Sequence, residues 1–219
     1  VEAFILNYVN HLPENKYTVE LIIMNRTPQY LGEKLKREVK IHYVPERIKN
    51  PLGYNCRVNE IVKKGNYDIL WCNFCTLSDI TWLKAAKKYG IPVRIAHSHN
   101  SENMGSKLVL ISHLQHKKAI SKYVTHFFAC SDVAGKFMFG DNIVKQNNYC
   151  LINNAIETDK YSYNENIRMK TRLDLKISDK IVITNVGRFH FQKNHSFLVN
   201  VFSEFYKKYP TSVLLLIGD

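Results

Sequence analysis

No run of about eighteen apolar residues occurs in this sequence, so no membrane-spanning helix is expected. Glycine (9) and proline (6) are sparse, and no segment reads as a flexible linker, a low-complexity tract or a repeat. No two glycines are separated by a single residue, which excludes a GxGxxG dinucleotide fingerprint. Gly135 and Gly140 have P-loop spacing, but Asp141 stands where that loop needs lysine. GxSxG and HExxH are absent. The opening VEAFILNYVNHLP lacks the basic start and small-residue cleavage site of a signal peptide.

Acidic residues are also short: 19 against 31 lysines and arginines, a net charge of +12. A surplus of this size attracts nucleic acid, phosphorylated ligands or anionic lipid head groups. The cations are scattered (34–40, 62–64, 87–88, 117–118, 207–208), without regular basic–aromatic interleaving or a nucleic-acid motif. No nucleic-acid partner is therefore expected. The five cysteines are odd in number and the chain is not small, which argues against a disulfide framework. Cys72-Asn-Phe-Cys75 follows an apolar strand rather than opening a helix, so core thiols and a reducing, cytoplasmic compartment are expected.

What is present is alternation. Val1, Phe4, Ile5, Tyr8, Val9 and Leu12 share one helical face ended by Pro13. Strands are expected at 17–25, 39–45, 67–73, 91–97, 125–131 and 149–156. Helices are expected at 55–65, 76–90 (capped by Thr76 or Ser78, with Asp79), within 101–124, and at 132–140. Such alternation predicts an α/β fold with a parallel sheet covered on both faces. Residues 157–180 are polar and read as a linker with a connecting helix. A strand (181–187), a helix from Asn194 to 209 and a strand (212–219) then begin a new unit. Phe197, Leu198, Val201, Phe202, Phe205 and Tyr209 form the expected buried stripe of that helix. Both ends look cut: 212–219 reads as a strand in need of neighbours, and the chain opens inside helical periodicity.

Two constellations carry chemistry. Arg188 and Lys193 flank the start of the 194–209 helix, whose free N–H groups and dipole favour phosphate. His97 and His99 lie where a strand ends, the place at which α/β sheets bind ligands. HxH can also bind metal, which makes a metal-dependent hydrolase the alternative. The HxHxDH pattern would need Asp at 101 and His at 102, however, and the chain has Ser101 and Glu102. His113 and His116 share a helix face, solvated or at an interface.

The segment IVITNVGRFHFQKNHSFLVNVFSEFYKKYPTSVLLLIGD (181–219) resembles the opening of the donor domain of family-four glycosyltransferases. AHSHN (96–100), ACSD (129–132) and INNAIETDKY (152–161) resemble their acceptor-domain signatures. Ala155 and Tyr161 stand where glycine and phenylalanine are usual. The resemblance implies a GT-B-like fold of two Rossmann-like units: 1–160 on the acceptor side with its first strand missing, 161–180 connecting, and 181–219 beginning the donor-binding domain. It implies a retaining, metal-independent hexosyltransferase that moves sugar from a nucleotide diphosphosugar to a saccharide or lipid-linked acceptor. The setting would be bacterial capsule, exopolysaccharide or lipopolysaccharide synthesis at the inner face of the membrane. No cofactor is implied. Gly187, Arg188 and Lys193 would hold the donor diphosphate. His97 would act at the sugar, with His99 as the fallback, and Ser98, Asn100, Ser131 and Asn154 would line the cleft. In the family the acidic E-x₇-E motif that contacts the donor follows the segment that 181–219 resembles, so these residues alone are expected to be inactive. A non-catalytic binding module is the remaining alternative.

Overall fold

The computed structural model describes residues 1–24, 34–103 and 105–218. The chain divides into two compact units, Val1–Ile156 and Glu157–Asp219.

The first unit opens with α1 (Glu2–His11), which buries Phe4, Leu6 and Val9. Strands β1 (Glu20–Met24) and β2 (Lys40–Val44) pair in parallel. Residue 25, expected to extend β1, lies outside the described residues. Helix α2 (Pro51–Gly65) starts earlier than its periodicity suggested. Pro51 occupies the first turn, where a missing N–H costs nothing, and the Asn50 side chain accepts from the Gly53 N–H at 2.8 Å. Strand β3 (Ile69–Phe74) leads to α3 (Thr81–Lys88). Here the expected start at residue 76 is corrected. Thr76 and Asp79 do bond to backbone, but to Ser78 and Thr81, so they shape a turn and the helix begins after it.

Strand β4 (Val93–Ser98), α4 (Lys107–Ala119), β5 (His126–Ala129), α5 (Asp132–Phe139) and β6 (Tyr149–Leu151) complete the unit. Strands β3, β4, β5 and β6 form one parallel sheet in sequence order. Strand β6 stops at Leu151, short of the expected 156. Val58, Leu77, Leu83, Ala96, Phe127 and Met138 lie at the heart of the core, all essentially without solvent contact. All five cysteines are free. Cys72 and Cys130 are half-buried, while Cys56, Cys75 and Cys150 are exposed, so only two fit the core reading.

The second unit holds α6 (Glu165–Asp174) and the parallel pair β7 (Ile181–Val186) and β8 (Ser212–Ile217), joined through α7 (His195–Lys208). Asn194 caps α7 as expected: it sits at φ +47° and its Oδ1 accepts from the Phe197 N–H at 3.4 Å. The stripe on α7 is not buried. Phe197 is 64% exposed, Val201 and Tyr209 are exposed, and Leu198, Phe202 and Phe205 are only half-buried. An apolar period marks a face without saying that anything covers it.

The difference is measurable. Leu83→Ala, in a filled core, should cost about 2–5 kcal/mol in urea unfolding. Phe197→Ala should change stability by less than about 0.5 kcal/mol.

Candidate active site

The carboxyl end of β4 organises the first unit's candidate residues. In register, His97 lies between Asn73 of β3 and Phe128 of β5, and Ser98 lies between Phe74 and Ala129. Neighbouring residues of a strand face opposite sides, which separates the predicted set into two groups.

His97 and His99 share one face, their ring centroids 4.2 Å apart. Phe4 of α1 meets His97 edge-on at 4.7 Å and His99 at 5.1 Å. Trp71 stacks on His97 at 5.9 Å, and Phe128 stands edge-on at 6.0 Å. His97 is fully buried, and among the described residues neither ring nitrogen has a hydrogen-bond partner, nor does the buried indole N–H of Trp71 beside it. His99 is better satisfied, with Nε2 2.8 Å from Asn73 Oδ1, a geometry in which the ring N–H donates.

Ser98 and Ser131 lie on the other side. The Ser98 hydroxyl donates to the Ala134 carbonyl at 2.8 Å, and Ser131 caps α5 by accepting from the Ala134 N–H at 3.2 Å. Both hydroxyls are thus engaged in seating α5 on the sheet. Asn100 is half-buried just past β4. Asn154 is exposed in the segment after β6, which α1 ties down through Asn7 Nδ2 to the Ala155 carbonyl at 3.0 Å.

His113 is buried and His116 half-buried, and both are engaged inside the unit rather than simply solvated. His113 is buried and stacks on Phe137 at 4.8 Å; its Nδ1 accepts from the Leu77 N–H at 3.1 Å. His116 Nδ1 donates to the Leu77 carbonyl at 2.6 Å. The two rings grip both polar groups of one peptide residue in the β3–α3 loop. Among the described residues, no three of His, Cys, Asp and Glu converge as metal ligands.

In the second unit, Gly187 N–H donates to the Ile217 carbonyl at 2.9 Å, and a Cβ on Gly218 would stand 2.0 Å from the Gly187 oxygen. Gly218 must therefore remain a glycine for the two strand ends to close together. The Lys193 stem lies over Gly187, where a Cβ would meet Lys193 Cε at 3.1 Å. Arg188 and Lys193 are exposed, and neither forms an ion pair among the described residues. Gly187, Arg188 and Lys193 thus stand together at the carboxyl end of β7, ahead of the α7 N-terminus.

Sequence reading missed Asn73, Phe4, Trp71 and Phe128. Their nearness to His97 comes from strand register and helix packing, which leave no local signature.

Burial and the adjacent His99 push His97 down to about 3 from the ordinary 6.5. Burial pushes His99 down to about 4. Unfolded histidines take up protons below about pH 6.5, and these folded ones do not. Their contribution to stability is therefore complete above that pH and is lost as pH falls toward 3. Urea unfolding across this range should show the fall, and His97→Phe should flatten part of it. Titration of the His97 ring near 6.5 by NMR would contradict the assignment.

The chain is similar to known proteins in sequence and in fold. The model of Glycosyltransferase Family 4 matches residues 1–160. The Bacillus subtilis (strain 168) protein named "Putative glycosyltransferase EpsF" is 26% identical over 227 residues, covering 100% of this chain and 58% of that protein. HepE of Anabaena, crystallised with UDP-glucose, superimposes with a TM-score of 0.64 at 12% identity, covering 91% of this chain and 60% of HepE. Its complex with UDP and glucose gives a TM-score of 0.66 at 13% identity, covering 92% of this chain and 61% of HepE. The chain thus spans about three-fifths of each relative's length. It belongs to Glycosyltransferase Family 4.

Proposed function

We propose that the protein is a retaining glycosyltransferase, moving a hexose from a nucleotide diphosphosugar to a hydroxyl of a saccharide or lipid-linked acceptor in bacterial cell-surface polysaccharide synthesis. The observation that carries this is the cation pair Arg188 and Lys193, exposed and without an ion pair among the described residues, at the carboxyl end of β7 before a capped helix start. Family membership and the nucleotide and sugar named for HepE support the same reading.

In the reaction the anomeric C–O bond to the diphosphate breaks and a new C–O bond to the acceptor oxygen forms. The proton of the acceptor hydroxyl leaves to the departing diphosphate or to water. Negative charge grows on the departing diphosphate. Arg188 offers a planar fork, Lys193 a mobile point charge, and the α7 N-terminus free N–H groups and dipole. These groups, rather than a metal ion, would stabilise the leaving group.

His97 serves the acceptor side as a neutral ring, with one nitrogen donating and one accepting. It meets a sugar once Phe4 swings away. His99, held by Asn73, is the second polar group there. The enzyme would work in the cytoplasm, its positive charge favouring peripheral contact with anionic membrane. No helix among the described residues is long and apolar enough to cross a bilayer.

Calorimetric titration with UDP, and with glucose alone, tests the donor site. UDP should bind. Arg188→Ala and Lys193→Ala should each weaken it between about tenfold and a hundredfold, the loss of one charge-assisted hydrogen bond of roughly 1.5–3 kcal/mol. UDP binding untouched by both changes, or no UDP binding, would overturn the assignment.

A further inference from the structure

On the sheet face that carries His97, one side chain stands between two rings. Asn73 of β3 and His97 of β4 are partners in register. Alternation along the strands puts Asn73, His97 and His99 on that same face. The asparagine nevertheless passes over its register partner. Its Oδ1 lies 2.8 Å from Nε2 of His99, two residues further along the chain. His97 has no partner among the described residues on either nitrogen.

The contact has a direction. An amide oxygen only accepts, so the ring supplies the proton, and that proton sits on Nε2. A neutral imidazole carries one proton, which leaves His99 Nδ1 as an acceptor. Burial keeps the ring neutral by holding it well below the ordinary histidine range. The His97 ring at 4.2 Å and the Phe4 ring at 5.1 Å press on His99 and oppose the ring flip that would exchange its nitrogens. His99 is half-buried where His97 is fully buried, so it is the ring nearer to solvent.

We infer that Asn73 is a positioning residue: it fixes the Nε2–H tautomer of His99, so that Nδ1 accepts a hydrogen bond from a saccharide hydroxyl. An acceptor-only nitrogen requires the ligand to bring the proton. A sugar hydroxyl brings one, and an ionised phosphate or carboxylate does not. The tautomer therefore selects sugar hydroxyls over the anions that the chain's positive charge attracts. The inference rests on the proposed glycosyltransferase reading and adds what orients its second histidine and which partner that ring takes.

The test is NMR of the chain with isotope-labelled histidine nitrogens, which reports the tautomer of each ring, recorded with and without glucose. Near neutral pH, His99 of the parent should be protonated at Nε2, and glucose should shift its Nδ1 resonance. Asn73→Leu removes the acceptor and should populate the Nδ1–H form. It should also bind glucose about threefold to tenfold more weakly, as expected for one misplaced hydrogen bond. Asn73→Asp restores an acceptor oxygen and should restore the parent tautomer, while its carboxylate raises the His99 pKa by about one unit or more. An asparagine that served the fold alone would lower stability in urea without moving the tautomer. Should Asn73→Leu fail to fold, the tautomer and pKa of Asn73→Asp decide. An Nδ1–H tautomer in the parent, with the amide nitrogen of Asn73 turned to the ring, would overturn the inference. So would an unchanged tautomer in Asn73→Leu, an unshifted His99 pKa in Asn73→Asp, or a parent His99 Nδ1 that glucose does not move. UDP titration of the parent judges the glycosyltransferase reading separately: its failure would leave the tautomer result standing.

Discussion

The register of β4 between β3 and β5 is the constraint on which the rest of the first unit's candidate site depends. It lines up Asn73, His97 and Phe128 across three strands and turns Ser98 to the opposite face. A slip of one residue would exchange the faces, bringing Ser98 among the rings and His97 against α5. The Ser98–Ala134 hydrogen bond resists that slip, because breaking it would take a buried hydroxyl from its acceptor. The same bond seats α5, so the serine of the HSH triplet is structural while its two histidines share the opposite face of the sheet.

The two candidate constellations differ in kind. His97 and His99 sit among aromatic rings, where burial holds them neutral. Arg188 and Lys193 stand exposed, where water keeps their charge inexpensive. A buried neutral imidazole suits hydrogen bonding to sugar hydroxyls. An exposed cation pair suits a diphosphate that must arrive from water and leave again. The unpartnered nitrogens of His97 and Trp71 are costly in a folded core, and such cost is expected where a polar ligand is to be met.

Much of the architecture was legible along the chain. The α/β alternation, the capped start of α7 and the strand-end positions of His97 and Arg188 all follow from local periodicity and capping chemistry. The errors are equally physical. Thr76 and Asp79 carry the signature of a helix cap and use it to close a turn. Helix α2, expected from residue 55, starts at Pro51, whose missing N–H is harmless in a first turn. The α7 stripe is apolar by period yet exposed, since periodicity describes one element and burial requires two. His113 and His116 looked like surface histidines because nothing near them in sequence shows that Leu77, 36 residues before His113, is their partner.

The sequence by itself determined the alternating elements, the positive charge, the glycine-arginine-lysine loop ahead of a helix and the histidines at a strand end. Each of these is written in residues a few positions apart, where propensity, capping and charge act locally. Tertiary structure alone decided that Phe4 and Trp71 enclose His97, that Asn73 holds His99 and that Leu77 takes both helix histidines. Those outcomes depend on strand register and on packing between segments far apart in the chain, which no local pattern encodes.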